Sequence, residues 1–198
     1  VQEEGDTVVN GILNCGKCMA PKQAHVEILG EMRLVPVLCD CQTAERNRRE
    51  EEYRKAREIE RRERMRRNGI TNAEWQNATF ADDDGRDAES GTKCRNYVKN
   101  FATMAETNVG LMLYGDVGCG KTFLAGCIAN ALIEQDYSVL MASLPGLIAE
   151  VNADFCENRE KIMDRIERCG LLILDDVGVE RSTEYSIEQS YEIINARY

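Results

Sequence analysis

The amino-acid sequence predicts an α/β fold in which helices flank a parallel sheet, preceded by a small metal-binding module and a long charged helix. Three observations carry this prediction. Four cysteines fall in the first 41 residues, a densely charged run follows them, and short apolar segments alternate with amphipathic helices from about residue 93 onward. Strands that alternate with helices form parallel sheets with right-handed crossovers.

Composition excludes several classes of protein. The 198 residues carry 25 Lys+Arg against 35 Asp+Glu, a net charge of −10, which argues against a general duplex-DNA binder. A hydrophobic fraction of 43% excludes wholesale disorder. No apolar stretch is long enough to cross a membrane, so we expect no membrane partner. Nine cysteines without an export signal indicate a reducing compartment, and we expect a cytoplasmic protein.

Four of the cysteines have the spacing of a zinc site. Cys15 and Cys18 form a C-x-x-C turn, which places two thiolates around one metal ion, and Cys39 and Cys41 form a tighter C-x-C pair. We expect all four to bind Zn²⁺ in a module over residues 1–44. The alternatives are zinc with His25 replacing one thiolate, an iron–sulfur centre, or free thiols.

A charged helix is predicted over residues 45–68. The stretch 45–67 contains eleven Lys/Arg and seven Glu, a net charge of +4, and no Gly or Pro. Opposite charges stand four residues apart, as in Glu51/Lys55 and Glu63/Arg67, and Asn68-Gly69 is a typical stop. The helix is either a solvated connection or a surface that docks on a partner or a nucleic acid. Residues 69–92, which include Asp82-Asp83-Asp84-Gly85, read as a linker loop.

Residues 93–198 contain the alternating strands and helices. The predicted strands are Gly110–Tyr114, Ser138–Ala142 and Leu171–Leu174. The predicted helices are Arg95–Glu106, Lys121–Glu134, Leu144–Val151, Arg159–Arg168 and Thr183–Tyr198.

A phosphate-binding loop joins the first predicted strand to its helix. Gly115-Asp116-Val117-Gly118-Cys119-Gly120-Lys121-Thr122 matches G-x-x-x-x-G-K-[ST]. The glycines let consecutive backbone N–H groups turn toward phosphate oxygens, and the helix that follows adds the positive end of its dipole. Lys121 would neutralise the β- and γ-phosphates, and the Thr122 hydroxyl would bind Mg²⁺. We assign nucleotide binding to residues 115–122 and to Phe123.

A second motif supplies carboxylates. The apolar run 171–174 ends in Asp175-Asp176, and ligands of open α/β sheets bind beyond the carboxyl ends of the strands. We expect Asp175 to hold Mg²⁺ and Asp176 to orient the attacking water, with Lys121 as the third catalytic residue. Because Asp176 is one methylene shorter than glutamate, we expect slow hydrolysis by the isolated protein.

These motifs together resemble the DnaC/DnaI-like helicase loaders, a branch of the AAA+ ATPases whose relatives include the IstB-like transposition helpers. The resemblance rests on residues 111–125, on 171–178 followed by Glu180-Arg181, and on 194–198. The cysteine cluster and Thr79-Phe80 are more similar to DnaI-like and phage members than to IstB. The resemblance implies an AAA+/ASCE P-loop fold, binding of ATP, a replicative helicase docked through the N-terminal region, and single-stranded DNA bound by the ATPase core.

The sequence also departs from this family. In family members, the residues that match Arg197-Tyr198 are followed by a strand that ends in a polar sensor residue. Further along the chain, an arginine reaches the ATP of a neighbouring subunit. We therefore expect residues 93–198 to be an incomplete AAA+ core and the chain to be a fragment of a longer protein, with self-association through that core. The leading hypothesis is an ATP-hydrolysing helicase loader in DNA replication. The alternatives are an IstB-like transposition helper and a nucleotide-binding adaptor without significant turnover.

Overall fold

The computed structural model describes residues 3–153, 157–179 and 184–197 and divides the chain into two compact units, Val1–Ile59 and Glu60–Tyr198. Glu180-Arg181 and Tyr198, which the sequence analysis singled out, lie outside the described residues, as does Cys156. Among those described, no helix combines the length and the hydropathy that crossing a bilayer requires.

The N-terminal unit contains two short antiparallel hairpins. Strand β1 (Thr7–Val9) pairs with β2 (Ile12–Asn14), and β3 (Gln23–Ile28) pairs with β4 (Glu31–Pro36). Both turns place residues at positive φ, Asn10-Gly11 in the first and Leu29-Gly30 in the second, as two-residue hairpin loops favour.

Helix α1 spans Asp40–Gly69 and begins five residues before its predicted start. The N–H of Thr43 donates to the carbonyl of Cys39 at 2.9 Å, so the first helical turn already includes Cys41. The acidic Asp40 lies in that turn, where the helix dipole favours negative charge. The predicted pairs Glu51–Lys55 (3.3 Å) and Glu63–Arg67 (3.7 Å) form.

The segment after α1 is more ordered than the predicted loop. A 3₁₀ turn covers Ala73–Asn77, and α2 (Ala88–Lys99) starts seven residues before the predicted Arg95 because Asp87 caps it, accepting from the N–H of Ser90 at 3.0 Å. A short helix, α3 (Phe101–Glu106), follows. Gly91, which falls within the predicted loop 69–92, lies inside α2.

The remaining elements alternate as predicted. They are α4 (Lys121–Glu134), β5 (Val139–Ser143), α5 (Leu144–Ala153), α6 (Glu157–Arg168), β6 (Leu171–Asp175) and α7 (Glu184–Asn195). Strands β5 and β6 pair in parallel, from Val139 with Leu171 to Ser143 with Asp175. On the other side of β5, Ile70 forms a parallel bridge with Met141. The expectation of an α/β fold with a parallel sheet is confirmed.

One predicted strand does not form. Residues 110–114 follow no strand path, and Met112 and Tyr114 are 83% and 86% exposed. An apolar run becomes a strand only where a neighbouring backbone pairs with it, and none does so within the described part of the chain.

Apolar side chains pack on both faces of the sheet. Val139 and Met141 point to one cluster, which includes Phe101, Leu132 and Ile133, whereas the alternate residues of β5 point to a second cluster between α5, α6 and α7. Two core layers on opposite faces place the sheet between helices.

Helix α4, which follows the phosphate loop, is anchored to neighbouring segments by the side chain of Asn130, which is 5% exposed. Its side-chain amide donates to the carbonyls of Trp75 (2.8 Å) and Ala78 (3.1 Å), and its oxygen accepts from Arg66 Nε at 2.8 Å. The C-terminal half of α4 is therefore held by part-buried and buried hydrogen bonds to residues outside the helix.

Candidate nucleotide site and cysteine cluster

The loop between residues 115 and 120 has the backbone that its glycines predict. Gly115, Gly118 and Gly120 have φ of 146°, 82° and 89°, values that side-chain-bearing residues rarely adopt. Gly120 is the N-cap of α4, and the N–H of Leu124 donates to its carbonyl at 2.9 Å. Val117 is fully exposed at the tip of the loop.

The side chain of Lys121 folds back over the loop. Its Nζ donates to the carbonyl oxygens of Gly115 (2.9 Å) and Asp116 (2.7 Å) and lies 3.6 Å from Cys119 Sγ. The ammonium group is therefore held on the loop by exposed hydrogen bonds that an anionic phosphate oxygen could replace.

Thr122 and Asp175 meet across 53 residues of sequence. The Thr122 hydroxyl donates to Asp175 Oδ1 at 3.3 Å, which brings the first turn of α4 to the carboxyl end of β6. The next residue, Asp176, adopts φ = 54°, a left-handed conformation that ends the strand. A hydroxyl and a carboxylate are the oxygen ligands that Mg²⁺ prefers in proteins, so this donor set fits that ion.

A cavity of about 200 Å³ adjoins the loop. It is lined by Asp82, Asp83, Asp84, Arg86 and Asp87 on one side, and by residues 118–120 with Phe123 and Leu124 on the other. Local ion pairs, such as that of Asp83 with Arg95 at 3.2 Å, offset part of the acidic charge. The sequence analysis did not predict that the acidic segment 82–87 lines this cavity, because a contact between segments far apart in sequence leaves no periodic pattern of residues.

The four N-terminal cysteines converge. The sulfurs of Cys15, Cys18, Cys39 and Cys41 all lie within 4.8 Å of one another, with Cys41 Sγ 3.5 Å from that of Cys15 and 3.3 Å from that of Cys39. Tetrahedral zinc at about 2.3 Å from each sulfur requires sulfur separations near 3.8 Å, so the arrangement fits that metal. His25 lies exposed on β3 and does not belong to this group of sulfurs.

The thiols of this cluster differ in acidity. Backbone hydrogen bonds from Cys18 and then Lys17 lower the pKa of Cys15 to about 6, and backbone donors at Cys41 and Ala20 lower the pKa of Cys18. Hydrogen bonds to Cys39 and Cys15 raise the pKa of Cys41 to about 12. A metal ion bound by the four sulfurs would displace their protons.

Comparison with known proteins gives a family match. The model of the family "IstB-like ATP binding protein" matches residues 37–198. The chain is 36% identical over 77 residues to the replicative helicase loader DnaI of Bacillus subtilis, covering 38% of this chain and 25% of DnaI.

Two further relatives come from different functional classes. The replicative helicase loader DnaC of Escherichia coli is 26% identical over 110 residues, covering 54% of this chain and 43% of DnaC. A protein of Sinorhizobium fredii named as an insertion sequence ATP-binding protein is 32% identical over 89 residues, covering 44% of this chain and 30% of that protein. The chain thus spans less than half the length of each of these relatives.

Proposed function

This chain belongs to the IstB-like ATP binding protein family, and on that premise we propose that it binds and hydrolyses ATP with Mg²⁺ and loads a replicative helicase. The observation that carries the nucleotide chemistry is the contact between Thr122 and Asp175. In a nucleotide-binding family, a hydroxyl at the start of the loop helix beside a strand-end carboxylate is the arrangement that holds a Mg²⁺ ion on a triphosphate.

Each loop residue has a role in this proposal. The loop N–H groups of residues 115–120 would surround the phosphates, Lys121 would leave its carbonyl partners for the β- and γ-phosphates, and Asp176 would orient the attacking water. The base and ribose would occupy the cavity beside the loop, because carboxylates of the 82–87 segment can accept hydrogen bonds from ribose hydroxyls and amino groups.

The nucleotide part of the proposal is tested by calorimetry and steady-state hydrolysis. We expect Lys121→Ala to abolish ATP binding, and Asp175→Asn to remove the Mg²⁺ dependence of binding and the turnover. The exposed Lys99→Ala on α2 is the matched control and should behave as wild type. Wild-type turnover should stay below about 10 s⁻¹. Wild-type affinity in Lys121→Ala would contradict the proposal, and ATP binding without turnover would favour the adaptor hypothesis.

The helicase-loading part follows from similarity to DnaI and DnaC. We propose that the cysteine cluster binds Zn²⁺, that the N-terminal unit docks on the helicase, and that the ATPase unit binds single-stranded DNA and associates with further copies of itself. The buried free thiols of Cys94, Cys127 and Cys169 suit the reducing cytoplasm that we propose as its location.

The second candidate is a transposition helper, which the insertion sequence relative favours. Affinity purification of the tagged protein separates the two. Recovery of the replicative helicase supports loading, whereas recovery of a transposase supports the alternative. Loss of the helicase on Lys121→Ala would indicate that the docking depends on nucleotide.

A further inference from the structure

A buried ion pair lies beside the cysteine cluster. Lys22 is 6% exposed, and its Nζ donates to Asp6 Oδ2 at 2.8 Å and to Glu3 Oε2 at 3.0 Å. The Asp6 side chain is 2% exposed. The hydrogen bond from Lys22 is the main cause that lowers the pKa of Asp6 to about 2, so the pair is charged at neutral pH.

The other oxygen of Asp6 reaches the metal-binding turn. Asp6 Oδ1 accepts from the N–H of Gly16 at 3.0 Å, inside the C-x-x-C sequence. The turn packs directly on this segment, because a Cβ at Gly16 would lie 2.2 Å from the carbonyl oxygen of Gly5. Asp6 and the carbonyl of Gly5 therefore fix the peptide that lies between Cys15 and Cys18.

Lys22 also joins the two arms of the cluster through its backbone. Its N–H donates to the carbonyl of Leu13, two residues before Cys15, at 2.7 Å. Its carbonyl accepts from the N–H of Val37, two residues before Cys39, at 2.8 Å. The backbone of one residue therefore links the segments that precede the two pairs of thiols.

Removing two charges from water is costly, and an apolar pair of similar volume would fill the same space at a lower cost. We propose that Asp6 and Lys22 are positioning residues of the metal site, which hold the C-x-x-C turn and the Cys39–Cys41 arm in the geometry that retains the ion. This inference rests on the proposed zinc site. Groups that orient metal ligands in this way are typically worth 10–100-fold in metal affinity.

The test measures zinc release from the full chain to a chromophoric chelator, 4-(2-pyridylazo)resorcinol. We expect Asp6→Ala, which loses the hydrogen bonds from Gly16 and Lys22 together with the one from the N–H of Glu3, to release zinc at least about tenfold faster than wild type. Asp6→Asn keeps an acceptor for the N–H of Gly16, so its rate of zinc release should lie between those of wild type and Asp6→Ala. Glu31→Gln, which removes the exposed pair with Arg33 in the neighbouring hairpin, is the control and should match wild type.

Cobalt substitution supplies a readout that loss of stability alone would not change. The d–d bands of Co²⁺ bound to Asp6→Asn should shift relative to wild type, because the sulfur positions change. Release from Asp6→Ala within twofold of wild type with an unchanged Co²⁺ spectrum would overturn the inference. If Asp6→Ala does not fold, the isosteric Asp6→Asn decides by the same two measurements. Less than about half an equivalent of zinc in wild type would instead overturn the zinc site itself.

Discussion

Cys119 has a different environment from the other cysteines that the structure describes. Its side chain is exposed in the phosphate loop, whereas those in the core and in the cluster are buried or half-buried. Its sulfur lies 3.6 Å from Lys121 Nζ, so a nucleotide that recruits this ammonium must pass close to the thiol. Reactivity at this one residue therefore reports occupancy of the loop.

We expect iodoacetamide to alkylate Cys119 first in the zinc-loaded protein, and MgATP to protect it. At ten times the Kd about nine-tenths of the sites are filled, so the labelling rate should fall about tenfold. Peptide mass spectrometry measures the rate, and Cys119→Ser should lack the fast phase. An unchanged labelling rate in protein that binds ATP by calorimetry would place the nucleotide away from this loop.

At the scale of elements, the sequence predicted the helices and strands whose bounds are set by neighbouring residues in the chain. Helix α4 has the predicted bounds, because the glycine at position 120 begins it and good helix formers continue it. Strand β6 ends at Asp175, one residue beyond its predicted last apolar residue. The contact between Thr122 and Asp175 follows from these two elements and the rule that ligands lie at strand ends.

Other elements depend on contacts that the local sequence does not contain. The run 110–114 has a strand-like composition, but pairing decides whether it becomes a strand. The early start of α2 depends on the N-cap Asp87. The sequence did not predict this cap because Asp87 belongs to an acidic stretch that is typical of a loop. The wall of carboxylates beside the phosphate loop needs the tertiary fold to bring residues 82–87 to residues 118–124.

The contact between α1 and α4 carries a prediction about pH. Asp136, just after α4, accepts from Arg62 at 3.2 Å and pairs with Arg61, and the Arg62 hydrogen bond is the main cause that lowers its pKa. Its φ of 68° is one that asparagine also tolerates, so Asp136→Asn removes the charge without straining the turn.

A carboxyl group whose pKa is lowered in the folded state stabilises the fold at pH values above its ordinary pKa. This stabilisation is lost as the pH falls through the folded-state pKa. Wild type should therefore be more stable than Asp136→Asn at pH 7, and the difference should shrink below about pH 4. Urea unfolding followed by Trp75, the single tryptophan, measures this within the C-terminal unit. Glu188→Gln, an exposed change on α7, is the control. A difference that is the same at pH 7 and pH 3 would show that the charge is not responsible.

At the scale of the whole molecule, the two units differ in what stabilises them. The buried residues of both apolar core clusters lie within residues 70–193. Among the described residues of the N-terminal unit, Cys15, Lys22 and Cys39 are the buried ones, and the side chain of Asp6 is covered beside Lys22. A unit of this size without an apolar core needs another source of folding free energy, and metal binding can supply it.

Removal of zinc should therefore unfold the two hairpins and leave the sheet and its helices in place. Hydrogen exchange in the full chain, before and after treatment with 1,10-phenanthroline, measures this. Amides of β3 and β4 should lose their protection, while those of α4, β5 and β6 should keep theirs, and Trp75 fluorescence should not change. Elemental analysis must first establish that the ion has left. Hairpin amides that stay protected in zinc-free protein would show that the ion pair and backbone hydrogen bonds suffice to fold the N-terminal unit.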